Sequence, residues 1–306
     1  MPVADLSSAV RVRVPAKINL HLGVGAVRPD GFHDLTTVFH AVTLYDEVTV
    51  RPAARLQLRV RGEGAGDIPT NADNLAWRAA VLMAEHAGVP AHVSVELDKA
   101  IPVAGGMAGG SADAAATLLA CSLLWRTATP KTELAELASE LGSDVTFPLY
   151  GGTALGTGRG EQLSPVLATG EFHWVIALAD FGISAGEAYR ELDRLRAAGL
   201  APEPLGAPDQ LLDALRAGDT ALVAGCLAND LQAAALSLRP SLADVLDEGV
   251  RRGALAGIVS GSGPTCVFLC ASSAAADDVA DGLAASGVCR GTRVAVGPAH
   301  GARASM

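Results

Sequence analysis

The run Ile101-Pro102-Val103-Ala104-Gly105-Gly106-Met107-Ala108-Gly109-Gly110-Ser111-Ala112-Asp113 decides how this chain is organised. Ahead of it, His92-Val93-Ser94-Val95-Glu96-Leu97 alternates in the manner of a half-buried strand. Behind it, Ser111 to Trp125 reads as a helix, with Ser111 capping the first turn and Asp113 inside that turn. Glycines and alanines at the junction leave little side chain between main chain and ligand. Bare amides there can close on an anion, and a helix N-terminus adds partial positive charge. The stretch predicts a phosphate cradle. It is not a Walker A loop, because no Gly-Lys-Ser/Thr follows, and its Gly-Gly-x-x-Gly-Gly spacing is not GxGxxG. A flexible linker or plain tight turn is the competing reading. The strand directly before and the alanine-rich helix directly after weigh against it.

Composition narrows the class. At 306 residues the chain suits two domains, each with its own core. Half of it is apolar and 18% is charged, as in a globular protein. Aromatics are only 4%, so Ala, Val and Leu must build the core. A net charge of −10 argues against nucleic acid as a partner. An acidic protein that binds phosphate is expected to concentrate its cations locally. Cys121, Cys226, Cys266, Cys270 and Cys289 contain no CxxC pair, which predicts buried free thiols in a reducing compartment. Met1 to Val14 carries Asp5, Arg11 and Arg13 and has no apolar signal-like core. Gly253 to Ala276 is uncharged and long enough to span a bilayer, but Gly261-Ser262-Gly263-Pro264 would break it, predicting two strands around a turn. The expectation is a cytoplasmic protein with no membrane association, a monomer or a homodimer.

Along the chain, Val10–Val14 and Ile18–Val24 read as strands separated by Pro15-Ala16-Lys17. Lys17 is either an edge-strand lysine or, with Asn19 on the same face, a group that serves a phosphate or hydroxyl. Arg28-Pro29-Asp30-Gly31 is a turn, followed by Phe32-His33, which could hold a flat base or be a core plug beside a solvated imidazole. Asp46–Val50 and Arg55–Val60 read as a hairpin. Asp144, after a helix from Thr132 to Leu141, could cap a short helix or deprotonate a hydroxyl. Gly151 to Gly160 reads as a strand ending in a structural glycine turn, with Arg159 a possible phosphate cation. A boundary fits near Gln162–Gly170, dividing the chain at 165/166. Beyond it come a strand, several helices, two strands, a helix and a strand, the order of a split β-α-β sandwich.

Taken together, Pro15-Ala16-Lys17-Ile18-Asn19-Leu20, Asp30-Gly31-Phe32-His33, the cradle, Gly142-Ser143-Asp144 and Gly261-Ser262-Gly263-Pro264-Thr265 resemble the GHMP kinase superfamily, in family order and over nearly the whole chain. The resemblance implies an α+β protein of two domains. Residues 1–165 would form a ribosomal-protein-S5-domain-2-like N-terminal domain that binds ATP, and residues 166–306 a ferredoxin-like C-terminal domain. It implies Lys17 and Asp144 as the catalytic pair and Pro102, Val103, Ala104, Gly105, Gly106, Met107, Ala108, Gly109, Gly110, Ser111 and Ala112 as the wrap around the ATP phosphates. Mg²⁺ would accompany the ATP, with Ser111 a candidate ligand. The closer likeness, to members acting on a cytidine diphosphate-linked methylerythritol, implies that Phe32 and His33 hold the base, with Tyr189 the second aromatic and Asn19 beside the substrate. The reaction would be ATP-dependent phosphorylation of the 2-hydroxyl in the non-mevalonate route to isoprenoid precursors. Homoserine or mevalonate-type kinases would share the cradle but not the Phe32-His33 pair; a nucleotide sensor would not need both Lys17 and Asp144. The chain departs from the family in Phe32 for Tyr, Thr146 for Pro, and Ala104 and Ala108 each for Gly.

Overall fold

A computed structural model describes residues 9–305; the part of the N-terminal reading that falls on residues 1–8 lies outside them. The strands are β1 (Val10–Val27), β2 (His33–Pro52), β3 (Gln57–Gly62), β4 (Val93–Lys99), β5 (Thr153–Thr157), β6 (Gln162–Pro165), β7 (Phe172–Leu178), β8 (Ala228–Asn229), β9 (Ala256–Val259), β10 (Cys266–Cys270), β11 (Gly291–Gly297) and β12 (Arg303–Ala304). The helices are α1 (Leu75–Ala87), α2 (Gly109–Trp125), α3 (Lys131–Leu141), α4 (Thr146–Tyr150), α5 (Ala185–Ala197), α6 (Asp209–Ala217), α7 (Thr220–Gly225), α8 (Leu231–Leu238), α9 (Ser241–Arg251) and α10 (Ser273–Ser286).

The first sheet has the strand order β12-β1-β2-β4-β3, with β5 and β6 running off β2 and with β8 beside β1. Its spine is the long β1–β2 hairpin. The expected break at Pro15 is instead a register shift within one continuous strand. A proline lacks the amide a ladder needs, and an irregular register accommodates that without ending the strand. The expected hairpin of Asp46–Val50 with Arg55–Val60 does not form. β4 inserts antiparallel to β2 and pairs parallel with β3. The β3-α1-β4 crossover makes that arrangement possible, since parallel neighbours need a long connection, usually a helix.

Helix α2 buries nearly every face. Ala112, Ala114, Ala115, Ala116 and Ala120 are all buried in the main core. Their small side chains let α2 lie close to both α1 and the sheet, which supplies in packing what the scarce aromatics cannot.

The second sheet runs β11-β7-β10-β9, antiparallel throughout. Numbered within this half of the chain, that is the order 4-1-3-2 of a split β-α-β sandwich. Alternation along its strands divides it between two cores. Phe172, Trp174, Ile176, Val267 and Leu269 face the main core. Val175, Ala177, Cys266, Phe268 and Cys270 face a second core with α5, α8, α9 and α10. The uncharged Gly253–Ala276 stretch is thus the β9–β10 hairpin and what flanks it. No helix among the described residues is long and apolar enough to cross a membrane. Cys121, Cys266 and Cys270 are buried, but Cys226 and Cys289 are partly exposed, so the thiols are free but not all interior.

The end of the chain returns to the first sheet. β12 pairs with β1, and the Ala302 amide donates to the Pro148 carbonyl at 2.8 Å, fastening the end of α4.

Candidate active site

The loop between β4 and α2 separates two adjacent cavities, and Ala104, Gly106 and Ala108 line both. One, of about 380 Å³, is the cradle side, bounded by Asn74, Leu75 and the first turn of α2. The other, of about 330 Å³, holds Lys17, Asn19, Asp144 and Tyr189.

α2 begins at Gly109, earlier than expected, and Ala108 in the left-handed region takes the cap position with no side-chain hydrogen bond. Ser111 therefore lies within the first turn instead of capping it. Consistent with this, the first-turn amides have no side-chain acceptor competing with an incoming anion. Ala104 and Ala108 have φ of 50° and 56°. Those are the two positions where the resemblance leads to an expectation of glycine. An alanine pays about 1–2 kcal/mol for such a backbone, so the loop keeps its shape under strain. Gly106 has φ +72°, and a Cβ there would drive into the Ser260 carbonyl oxygen. Only glycine lets the loop meet the turn at Ser260–Pro264.

Beneath the loop, Lys99 at the end of β4 donates to Asp46 Oδ2 and, at 2.6 Å, to Asp113 Oδ2. Asp46 Oδ1 accepts the Ala100 and Ile101 amides at 2.6 and 2.9 Å, tying the cluster to the loop's first residues. All three side chains are buried. Burial and the neighbouring Asp46 push the Asp113 carboxyl up to about 8 against the pull of Lys99. One ammonium cannot neutralise two dehydrated carboxylates. Asp113 is thus part of the loop's foundation, not a first-turn charge facing solvent. Among the described residues that line the cradle, Lys99 is the only cation, and Asp67 and Asp73 line it too. The expected concentration of cations is not there; main-chain amides are what the groove offers.

Lys17 and Asn19 project from one face of β1, and Lys17 Nζ donates to Asn19 Oδ1 at 2.7 Å. Asn19 Nδ2 in turn donates to Thr37 Oγ1 at 2.8 Å, and Thr37 donates to the His21 carbonyl. This chain holds the ammonium 3.6 Å from Asp144 Oδ2. The Lys17 side chain is 7% exposed and that of Asp144 37%, so the lysine is fixed and the carboxylate faces the cavity. Asp144 does not cap α4, whose first residues have no side-chain cap. Segments 127 residues apart in sequence thus converge at one point.

Behind Tyr189, which lines this cavity, the Phe32-His33 pair reverses the plain reading of plug and solvated imidazole. Phe32 is 54% exposed, whereas His33 is buried. His33 stacks on Tyr189 of α5 with ring centroids 5.0 Å apart, and its Nε2 lies 2.9 Å from Asp193 Oδ1. Burial, with a smaller contribution from the Asp144 charge, raises the Tyr189 hydroxyl well above its usual range. Arg159 does not line the cradle; its guanidinium carbon is 5.0 Å from the Phe32 ring centroid.

The chain matches the model of the GHMP kinases N terminal domain over residues 74–152 and that of the GHMP kinases C terminal domain over residues 211–289. The chain belongs to the GHMP kinase family. It is a small-molecule kinase with ATP as co-substrate. Over 299 residues it is 60% identical to a 4-diphosphocytidyl-2-C-methyl-D-erythritol kinase of Salinispora arenicola, covering 97% of this chain and 95% of that protein. It is 59% identical over 297 residues to the enzyme of that name from Mycobacterium tuberculosis, covering 97% of this chain and 93% of that one. A crystal structure of 4-(cytidine 5'-diphospho)-2C-methyl-D-erythritol kinase superposes with a TM-score of 0.76 at 32% identity, over 93% of this chain and 98% of that chain. A homoserine kinase from Cytophaga hutchinsonii also superposes with a TM-score of 0.76, but at 19% identity, which speaks to the fold alone.

For this GHMP kinase, sequence reasoning did not find the Lys99–Asp46–Asp113 cluster or the His33–Asp193 contact. A lysine closing an apolar strand beside a glycine loop was a signal for the first. The four-residue spacing of Tyr189 and Asp193, which puts both on one face of a helix, was a signal for the second.

Proposed function

We propose that this GHMP kinase transfers the γ-phosphoryl group of ATP to the 2-hydroxyl of 4-diphosphocytidyl-2-C-methyl-D-erythritol, in the non-mevalonate route to isoprenoid precursors. The observation that carries the mechanism is the Lys17–Asp144 pair at 3.6 Å, in a cavity that shares its wall with the cradle. Asp144 accepts the proton of the attacking hydroxyl as its oxygen bonds to the γ-phosphorus and the bond to the ADP oxygen breaks. Lys17 sits where charge passes between acceptor and phosphate and offsets it electrostatically. Pro102 to Ala112 wrap the triphosphate, with the amides of the first turn of α2 aimed at it.

A Mg²⁺ ion brought in on the phosphates fits this donor set. No group of three or more metal-binding side chains exists among the described residues, and Mg²⁺ in nucleotide sites commonly takes one or two protein ligands. Ser111 would be one, and the ion would supply neutralisation of the phosphate charge that the acidic groove lacks.

Cytidine recognition falls to Phe32, His33 and Tyr189, with Asn19, bonded to Lys17, beside the substrate. Residues 1–165 supply the cradle and the catalytic pair, and residues 166–306 supply Tyr189. The protein works in the cytoplasm as a monomer or homodimer, without nucleic acid.

The direct test is Asp144→Asn, assayed by ADP release with the cytidylated substrate. The expected result is a fall in kcat of about 10²-fold or more with the KM for ATP little changed. Near-normal turnover by that variant removes Asp144 from the role.

A further inference from the structure

The turn joining β5 and β6 is tied into the substrate side of the molecule. Its Gly158 carbonyl accepts the Leu35 amide at 2.7 Å, just beyond the Phe32-His33 turn. Its Gly160 packs toward Phe39, and a Cβ there would lie 4.0 Å from Asp144 Oδ1. Residues 157–160 therefore span the distance from the proposed base site to the proposed catalytic carboxylate.

Arg159 sits in the middle of that span. Its side chain stacks over the Phe32 ring, and no carboxylate among the described residues lies within ion-pair distance of it. Glu161, the nearest acid in sequence, makes no ion pair with the guanidinium; its Oε2 accepts the Arg159 main-chain amide at 2.7 Å instead. Arg28, on the neighbouring turn, is by contrast paired with both Asp30 and Asp34. In a chain of net charge −10, a half-buried guanidinium laid on an aromatic face with its N–H fork uncommitted is a preorganised anion site.

We propose that Arg159 binds the diphosphate that links the base to the acceptor alcohol, held in place for this by the exposed ring of Phe32. The assignment rests on the base and acceptor sites proposed above: a ligand reaching from Phe32-His33 to Asp144 has its linking phosphates beside residue 159. The planar fork suits two phosphate oxygens at once, and the stack on Phe32 limits the side-chain freedom that binding would otherwise remove.

The test measures binding of cytidine, CMP and CDP by calorimetry, with the cradle filled by a non-hydrolysable ATP analogue so that the probes report the substrate side. Wild-type protein should bind CDP about tenfold to hundredfold more tightly than cytidine. Arg159→Ala should lose most of that increment, leave cytidine binding unchanged and leave the KM for ATP unchanged. Arg159→Lys, which keeps the charge but not the fork, should fall between them. The residue is a turn side chain outside the core, so the thermal midpoint of both variants should match wild type. CDP bound equally well by Arg159→Ala and wild type overturns the assignment while leaving the base site standing. Equal weakening of cytidine and CDP also overturns it, because Arg159 would then act only through Phe32. Failure of wild type to bind any cytidine compound overturns the base site as well.

Discussion

Gly110→Ala separates the binding role of the cradle from its structural role. Gly110 lies in the first turn of α2 with ordinary helical geometry, and a Cβ there would meet only Leu75 Cδ1, at 3.9 Å. In the protein alone the methyl group costs nothing, and alanine is favoured over glycine in a helix by about 0.5–1 kcal/mol. At roughly 2–4 °C per kcal/mol for a chain of this order of size, the thermal midpoint should stay level or rise by about 1–4 °C. A triphosphate closing on the first-turn amides must approach to about 3 Å, and the methyl group stands in its way. Weakening one or two charge-assisted hydrogen bonds at about 1.5–3 kcal/mol each should raise the KM for ATP by about tenfold to hundredfold. The assay is ADP release against ATP concentration, paired with a melt of the same sample. Gly106→Ala is the comparison: positive φ and the Ser260 carbonyl predict loss of stability and of ATP binding together. A KM for ATP within twofold of wild type in a folded Gly110→Ala protein would refute the placement of the phosphates.

Two further outcomes follow from buried charge. Lys99→Met strands Asp46 and Asp113 without their shared cation and should cost about 3–5 kcal/mol, read as a fall in the urea midpoint at pH 7. The deficit should shrink on acidification, because buried carboxyls that take up protons in the folded state are most stable at low pH. A shift under 1 kcal/mol would mean the cluster does not support the loop. His40, bonded to Thr153 Oγ1 at 2.8 Å, is held down to about 3 by burial. The unfolded chain binds that proton below about 6.5 and the folded chain does not. Stability from this group is therefore present at neutral pH and lost as pH falls from about 6.5 toward 3, by at most ~1.4 kcal/mol per unit. Urea midpoints from pH 7 to 4 should show a slope that is reduced in His40→Asn; identical slopes would count against the assignment.

Much of this fold was legible from local pattern. The strand, glycine loop and alanine-rich helix around residues 93–125 announce themselves through alternation and composition, and so does the β-α-β order of the second half. Lys17 was legible as a charge in an apolar strand, with Asn19 two positions on along the same face, whereas Asp144 had a capping reading as well and its pairing with Lys17 was implied only by the resemblance. Other features were not legible. The position of β4 between β2 and β3 depends on pairing that no single strand encodes, and a near neighbour in sequence looked like the partner. Which of Phe32 and His33 is buried was settled by α5, some 155 residues away, whose Tyr189 and Asp193 give the imidazole a ring and an acceptor.

What the sequence by itself determined is local pattern, above all amides bared by small residues between a strand and a helix. Periodicity and residue type carry that information because they act over a few residues. Lys17, Asp144 and the Phe32-His33 turn each also had a plain structural reading, and their chemical roles were implied only by the resemblance to the GHMP kinases. Only the tertiary structure decided that Lys17 meets Asp144, that Lys99 is consumed by Asp46 and Asp113, and that Arg159 remains uncommitted over Phe32. Charges pair according to distance in space, and that distance is set by how the sheets and α2 pack, not by separation along the chain.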